Sequence, residues 1–124
     1  MPEGFLKRLR TQIKEDVLEA NKQFEPKKSF CLSCENTLEI QVNRKRKGED
    51  ENEAFVLFKL IDDVSLSVSY HCRNGGRARY SEKPLGKIVL KWDGVAHECV
   101  TELCGKNLSM VDLRRETLGQ LFFD

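Results

Sequence analysis

At 124 residues, 40% of them apolar and 33% charged, the chain has the size of a single domain, residues 1–124, with apolar side chains enough for a modest core. Its 21 lysines and arginines nearly cancel its 20 acidic residues, which excludes a bulk polycation and confines any nucleic-acid contact to a local patch. No apolar run approaches the ~20 residues of a membrane-spanning helix and the first residues lack the apolar core of a secretory signal, so the expectation is a cytoplasmic or nuclear protein with no membrane span.

From Glu3 to about Gln23, Phe5, Leu9, Ile13 and Val17 recur every fourth position, Leu6, Leu18 and Ala20 widen the stripe, and charged residues fill the other face. That periodicity predicts an amphipathic helix packed on a sheet, stopped by Pro26. A Cys-x2-Cys pair, Cys31 and Cys34, follows. Leu38, Ile40 and Val42 then alternate with Glu39 and Gln41 as in a half-buried strand. Arg44, Lys45, Arg46 and Lys47 face Glu49, Asp50, Glu51 and Glu53 across Gly48, a pattern expected of a solvated hairpin tip whose arms attract each other. Phe55 to Ile61 is almost continuously apolar and predicts a central strand.

After a turn at Asp62 and Asp63, Val64, Leu66, Val68, Tyr70 and Cys72 alternate with Ser65, Ser67, Ser69 and His71, which puts Cys72 on the buried face and His71 on the polar one. The next turn, Asn74 to Gly76, is flanked by Arg73, Arg77 and Arg79, with Lys83 nearby and Tyr80 available to stack on a base. These three arginines are the candidate nucleic-acid contacts. Ile88 to Trp92 and Val95 to Val100 read as a hairpin about Asp93-Gly94. Trp92, the only tryptophan, is either a packing residue or an anchor for a partner. Ser109 and Asp112 resemble a capping box opening a short helix through Met110, Leu113 and Leu118, with Gly119 as its stop. The tail Leu121, Phe122 and Phe123 is too apolar to hang in water, so it docks on the domain or binds another chain, and an isologous dimer is one way to cover it together with the wide stripe of the first helix.

The sum is an α+β domain: an antiparallel sheet of about five strands, an N-terminal amphipathic helix and a short C-terminal helix. In a reducing compartment an odd count of five cysteines points to metal ligands or free thiols, not disulfides. The expected ligands of one structural zinc are Cys31, Cys34, Cys99 and Cys104, two chelating pairs, with His71, Cys72 and His97 as substitutes. Phosphate loops, nucleophile elbows and zinc-protease helices are all missing from the sequence, and the expectation is a protein that binds without catalysing.

On Cys31, Cys34, His71, Cys72 and overall size, the chain resembles the small cysteine-containing silencing suppressors of plant RNA viruses, of the sobemovirus first-open-reading-frame type. The resemblance implies a viral protein that counters host RNA silencing, and aids viral movement, by binding a small RNA duplex or a host silencing protein. The Trp-Gly dipeptide by which some suppressors engage Argonaute is interrupted here, since Asp93 separates Trp92 from Gly94. The alternative is a cellular zinc-stabilised adaptor in a nucleic-acid or protein complex.

Overall fold

The computed structural model describes residues 2–24, 28–33, 38–46, 48, 51–62, 64–73, 80–93 and 98–123. Helix α1 (Pro2–Phe24) leads into β1 (Lys28–Ser33), β2 (Glu39–Arg46), β3 (Ala54–Asp62), β4 (Ser65–Arg73), β5 (Tyr80–Asp93), β6 (Glu98–Leu103) and β7 (Lys106–Leu108), and α2 (Met110–Phe123) closes the chain. The strands form one curled antiparallel sheet in sequence order. The α+β class agrees with the sequence; the strand count does not, being seven among the described residues instead of about five. One added strand, β1, alternates Phe30 and Leu32 toward the core with Ser29, Cys31 and Ser33 on the other face, a pattern too short to stand out beside the cysteine pair. The other, β7, is three residues long and hangs on the turn at Cys104 and Gly105, whose φ angles of 52° and 82° are the paired positive values of a two-residue hairpin.

The curl has a local cause in β5. Val68 pairs with Gly86 while Ser69 pairs with Pro84, so Leu85 is an extra residue and the strand bends there. Gly86 sits at φ 138°, and a Cβ on it would lie 2.8 Å from Cys104 Sγ and 2.9 Å from Leu103 Cδ1. Only glycine lets the β6–β7 turn close over the bulge. Pro84 sits at the bulge, where the β4–β5 ladder is interrupted, and β6 pairs with β5 only from Ile88 to Asp93 among the described residues, so a proline is tolerated there.

Both helices cover one face of the sheet. Leu9 and Ile13 of α1, Val42, Val56, Phe58, Leu66 and Ile88 of the sheet, and Leu113, Leu118 and Leu121 of α2 are buried in one cluster. Leu18, expected to widen the apolar stripe, is 63% exposed, because it points away from the arc that meets the sheet. The edge strand β1 is sealed by Asn21 of α1. Its carboxamide takes the Phe30 N–H at 2.7 Å and donates to the Phe30 carbonyl at 3.0 Å, standing in for a missing neighbour strand.

Helix α2 starts where the sequence places it, with Ser109 Oγ accepting the Asp112 N–H at 3.2 Å. It does not stop at Gly119 but continues to Phe123. Its C-terminal turn carries no basic residue; Arg44 of β2 supplies one. That guanidinium, 4% exposed, donates to the Leu121 carbonyl at 2.7 Å and to Glu53 Oε2 at 3.0 Å, so a cation meets the negative end of the helix inside the fold. Arg46 bonds the other carboxylate oxygen of Glu53 at 2.7 Å. The attraction expected between the two arms is present, but one of its arginines is a core residue and not part of a solvated tip.

Burial pushes the Glu53 carboxyl up, yet Arg44 and Arg46 outweigh it and hold the group below its ordinary 4.5. A depressed carboxylate adds stability above its unfolded value, and that stability is lost as pH falls through the folded one. Arg44→Ala should therefore cost about 3 kcal/mol in urea unfolding, against less than about 1 kcal/mol for Arg46→Ala, whose side chain is 65% exposed. Glu53→Gln should flatten the loss of stability below pH 4.5. Equal costs for the two arginines would contradict this account of the helix end.

Candidate functional site: the helix-free face of the sheet

Strand alternation sends every second side chain to the face the helices leave uncovered. Registers align Cys31, Asn43, Phe55, His71 and Glu82 across β1 to β5 as one rung on that face. The centre of the rung is aromatic. The Phe55 and His71 rings stack with centroids 4.4 Å apart at 10°, and Tyr80 meets Phe55 edge-on at 5.1 Å and 66°. All three residues are half-buried.

Polar contacts hold the rings in place. The Tyr80 hydroxyl donates to the Asn52 carbonyl at 2.7 Å, which ties β5 to the segment before β3. Ser69 Oγ lies 2.9 Å from His71 Nε2 and fixes the plane of the imidazole. Beside them Asn43 Oδ1 accepts from Gln41 Nε2 at 2.7 Å and from Asn52 Nδ2 at 3.0 Å, while Asn43 Nδ2 points at Cys31 Sγ at 3.7 Å. The result is a fixed aromatic patch beside a mutually bonded amide cluster centred on the buried Asn43, and its half-buried rings suit contact with a planar group.

Of the predicted nucleic-acid contacts, Arg73 lies at the end of β4, ion-paired with Glu51, while Arg77 and Arg79 lie outside the described residues. Tyr80, read from sequence as free to stack, is already packed on Phe55. Of the predicted partner contacts, Leu121 is fully buried and Phe122 is 9% exposed; the Phe122 ring meets Phe30 edge-on at 5.2 Å, so both belong to the domain's own core. Phe123 is 75% exposed. Trp92 pairs in register with Cys99, and its side chain lies outside the description.

Of the four expected zinc ligands, only Cys31 and Cys104 have described side chains. Cys31 is exposed in β1 and Cys104 is exposed in the β6–β7 turn, with four strands between β1 and β6, about 24 Å along the sheet. Cys104 Sγ lies 3.6 Å from the Leu85 carbonyl, and Cys72 packs against the core. Cys34 and His97 lie outside the described residues, as does the side chain of Cys99. Among the described residues, no three His, Cys, Asp or Glu side chains gather as a metal would need.

Comparison of the chain with known protein families, with curated proteins and with solved structures finds no match.

The aromatic patch escaped the sequence because Phe55 sits in a continuous apolar run and reads as core. Only the β3–β4 register sets it beside His71. A double-mutant cycle on Phe55→Leu and His71→Ala should give a coupling of about 1 kcal/mol, the worth of a stacked pair beyond its buried area. Additive losses would show that the rings do not support each other.

Proposed function

We propose that this chain is a non-enzymatic RNA-binding protein that takes unpaired bases on the helix-free sheet face. One observation carries the reading: three half-buried rings, Phe55, His71 and Tyr80, packed together on the sheet face that the helices do not cover; the sequence between Arg73 and Tyr80 adds Arg77 and Arg79. Aromatic side chains on antiparallel sheets bind bases without reading much sequence, because every base has a π face, and flanking cations take the phosphates. The near-zero net charge suits a local contact of this kind better than a wrap around a long duplex. The sequence resemblance implies a small RNA duplex or a host silencing protein as the target and suppression of silencing as the result; the ring patch favours RNA over protein and its unpaired bases over a paired duplex; in the alternative, the same face serves a cellular adaptor in a nucleic-acid complex.

Fluorescence anisotropy with a short RNA, single-stranded and as a duplex, tests the proposal. The single strand should bind more tightly. Phe55→Leu, which fills the space without a π face, should weaken it by about tenfold. Arg77→Ala and Arg79→Ala should each lower the slope of log affinity against log salt by about one. Arg73 shares its charge with Glu51, so Glu51→Gln should tighten binding by about two- to threefold. Salt-independent binding, or none, would move the function to protein recognition.

A further inference from the structure

Helices α1 and α2 run side by side in the same direction. Arg114 of α2 reaches the Gln12 carbonyl at 3.2 Å and Asp16 Oδ1 at 3.1 Å, and further along Phe122 comes level with Ala20. Between them they leave an open groove of about 260 Å³. Its apolar surface comes from Ala20, Val111, Phe122 and Phe123, of which Val111 is 54% and Phe123 75% exposed. Its two walls differ in charge. Asp16 and Arg114 meet each other across it, which leaves Glu19 as the outer acid on the α1 wall and Arg115 as the outer base on the α2 wall. Both are exposed. Glu19 holds only a 3.4 Å contact from Gln23, and Arg115 stands 3.6 Å from Asp112 with its side chain 74% exposed.

We propose that this groove is the seat of a second copy of the chain, related by a two-fold axis that runs along the groove. The choice of axis follows from the charges. A two-fold across the groove would lay α1 on α1 and bring two Glu19 side chains together. A two-fold along it lays α1 on the α2 of the second copy, so that each Glu19 faces an Arg115 and each Phe123 enters the apolar groove of the other copy. Arg114 reaches both Gln12 and Asp16, so along the parallel helices Glu19 lies about one turn, ~6 Å, beyond Arg115, a separation that two long side chains span. The arrangement is isologous and closes at two copies. It leaves the helix-free sheet face open and does not depend on what that face binds. Leu18 is also exposed, but it lies on the far side of α1 from the groove and takes no part.

Light scattering and sedimentation on the full chain test this. At about 100 µM, a range in which weak dimers form, the wild-type mass should be twice the 14.3 kDa of one chain. Val111→Glu should abolish the dimer, and Arg115→Glu should weaken it by about tenfold, because two rim pairs become repulsive together. The charge swap Glu19→Arg with Arg115→Glu should restore it. Leu18→Glu should leave it unchanged, and circular dichroism of each variant should match the wild type. A wild-type monomer at this concentration would overturn the proposal. So would a dimer indifferent to Val111→Glu and Arg115→Glu, one as sensitive to Leu18→Glu as to Val111→Glu, or a charge swap that does not rescue.

Discussion

Arg44 is the point at which the C-terminal helix is joined to the sheet. Its guanidinium lies inside the fold, where an unmatched charge would be destabilising by several kcal/mol. It is matched on one side by Glu53, just before β3, and on the other by the last turn of α2. Burying an arginine this way makes the C-terminal helix conditional on the β2–β3 pairing, and the reverse. The neighbouring contacts draw in α1 as well: Phe30 meets Phe122 edge-on while Asn21 holds both backbone groups of Phe30. Helices from opposite ends of the sequence are thus fixed on one strand pair, β1 and β2, by a few polar bonds set among apolar side chains.

That joint divides the molecule into two faces. The apolar phase of each strand is packed under α1 and α2; on the other phase Phe55 and His71 are half-buried, Asn43 and Ser69 are buried, and neither helix packs there. Exposed sheet faces of antiparallel proteins are ordinarily polar; here the polar field holds a stacked aromatic centre. Such rings are retained in place by the Tyr80 and Ser69 hydrogen bonds, so little ordering remains to be done when a planar ligand arrives. The helical side has a different character, with an apolar groove and opposite charges on its walls, and suits association of like with like. The two surfaces share no residue and can act independently.

How much of this was legible in the sequence depended on range. The period of four in α1, the Ser109 cap and the alternation of β2 and β4 are local signals, and each element lies where it was read. Leu18 was misassigned because a stripe counted by spacing is wider than the arc a curled sheet can cover. Gly119 was taken as a stop, yet the helix passes through it because Leu121 and Phe122 have core to reach and Arg44 holds the end. The run from Arg44 to Lys47 looked like solvated charge, and nothing local distinguishes the one arginine that turns inward; its partners are 9 and 77 residues away. The Cys-x2-Cys pattern drew attention from β1, in which Cys31 is an outward-facing strand residue. The candidate site was half visible: Tyr80 and the arginines were marked, but Phe55 and His71 become neighbours only through register.

The central claim is that the uncovered sheet face, and not the helical side, is where the molecule meets its ligand. Backbone amide shifts of isotopically labelled protein titrated with a short single-stranded RNA test it most directly. The account predicts perturbations concentrated at Phe55, His71, Tyr80 and their rung neighbours Asn43 and Glu82, with α1 and α2 unmoved. Shifts confined to the helices would contradict it.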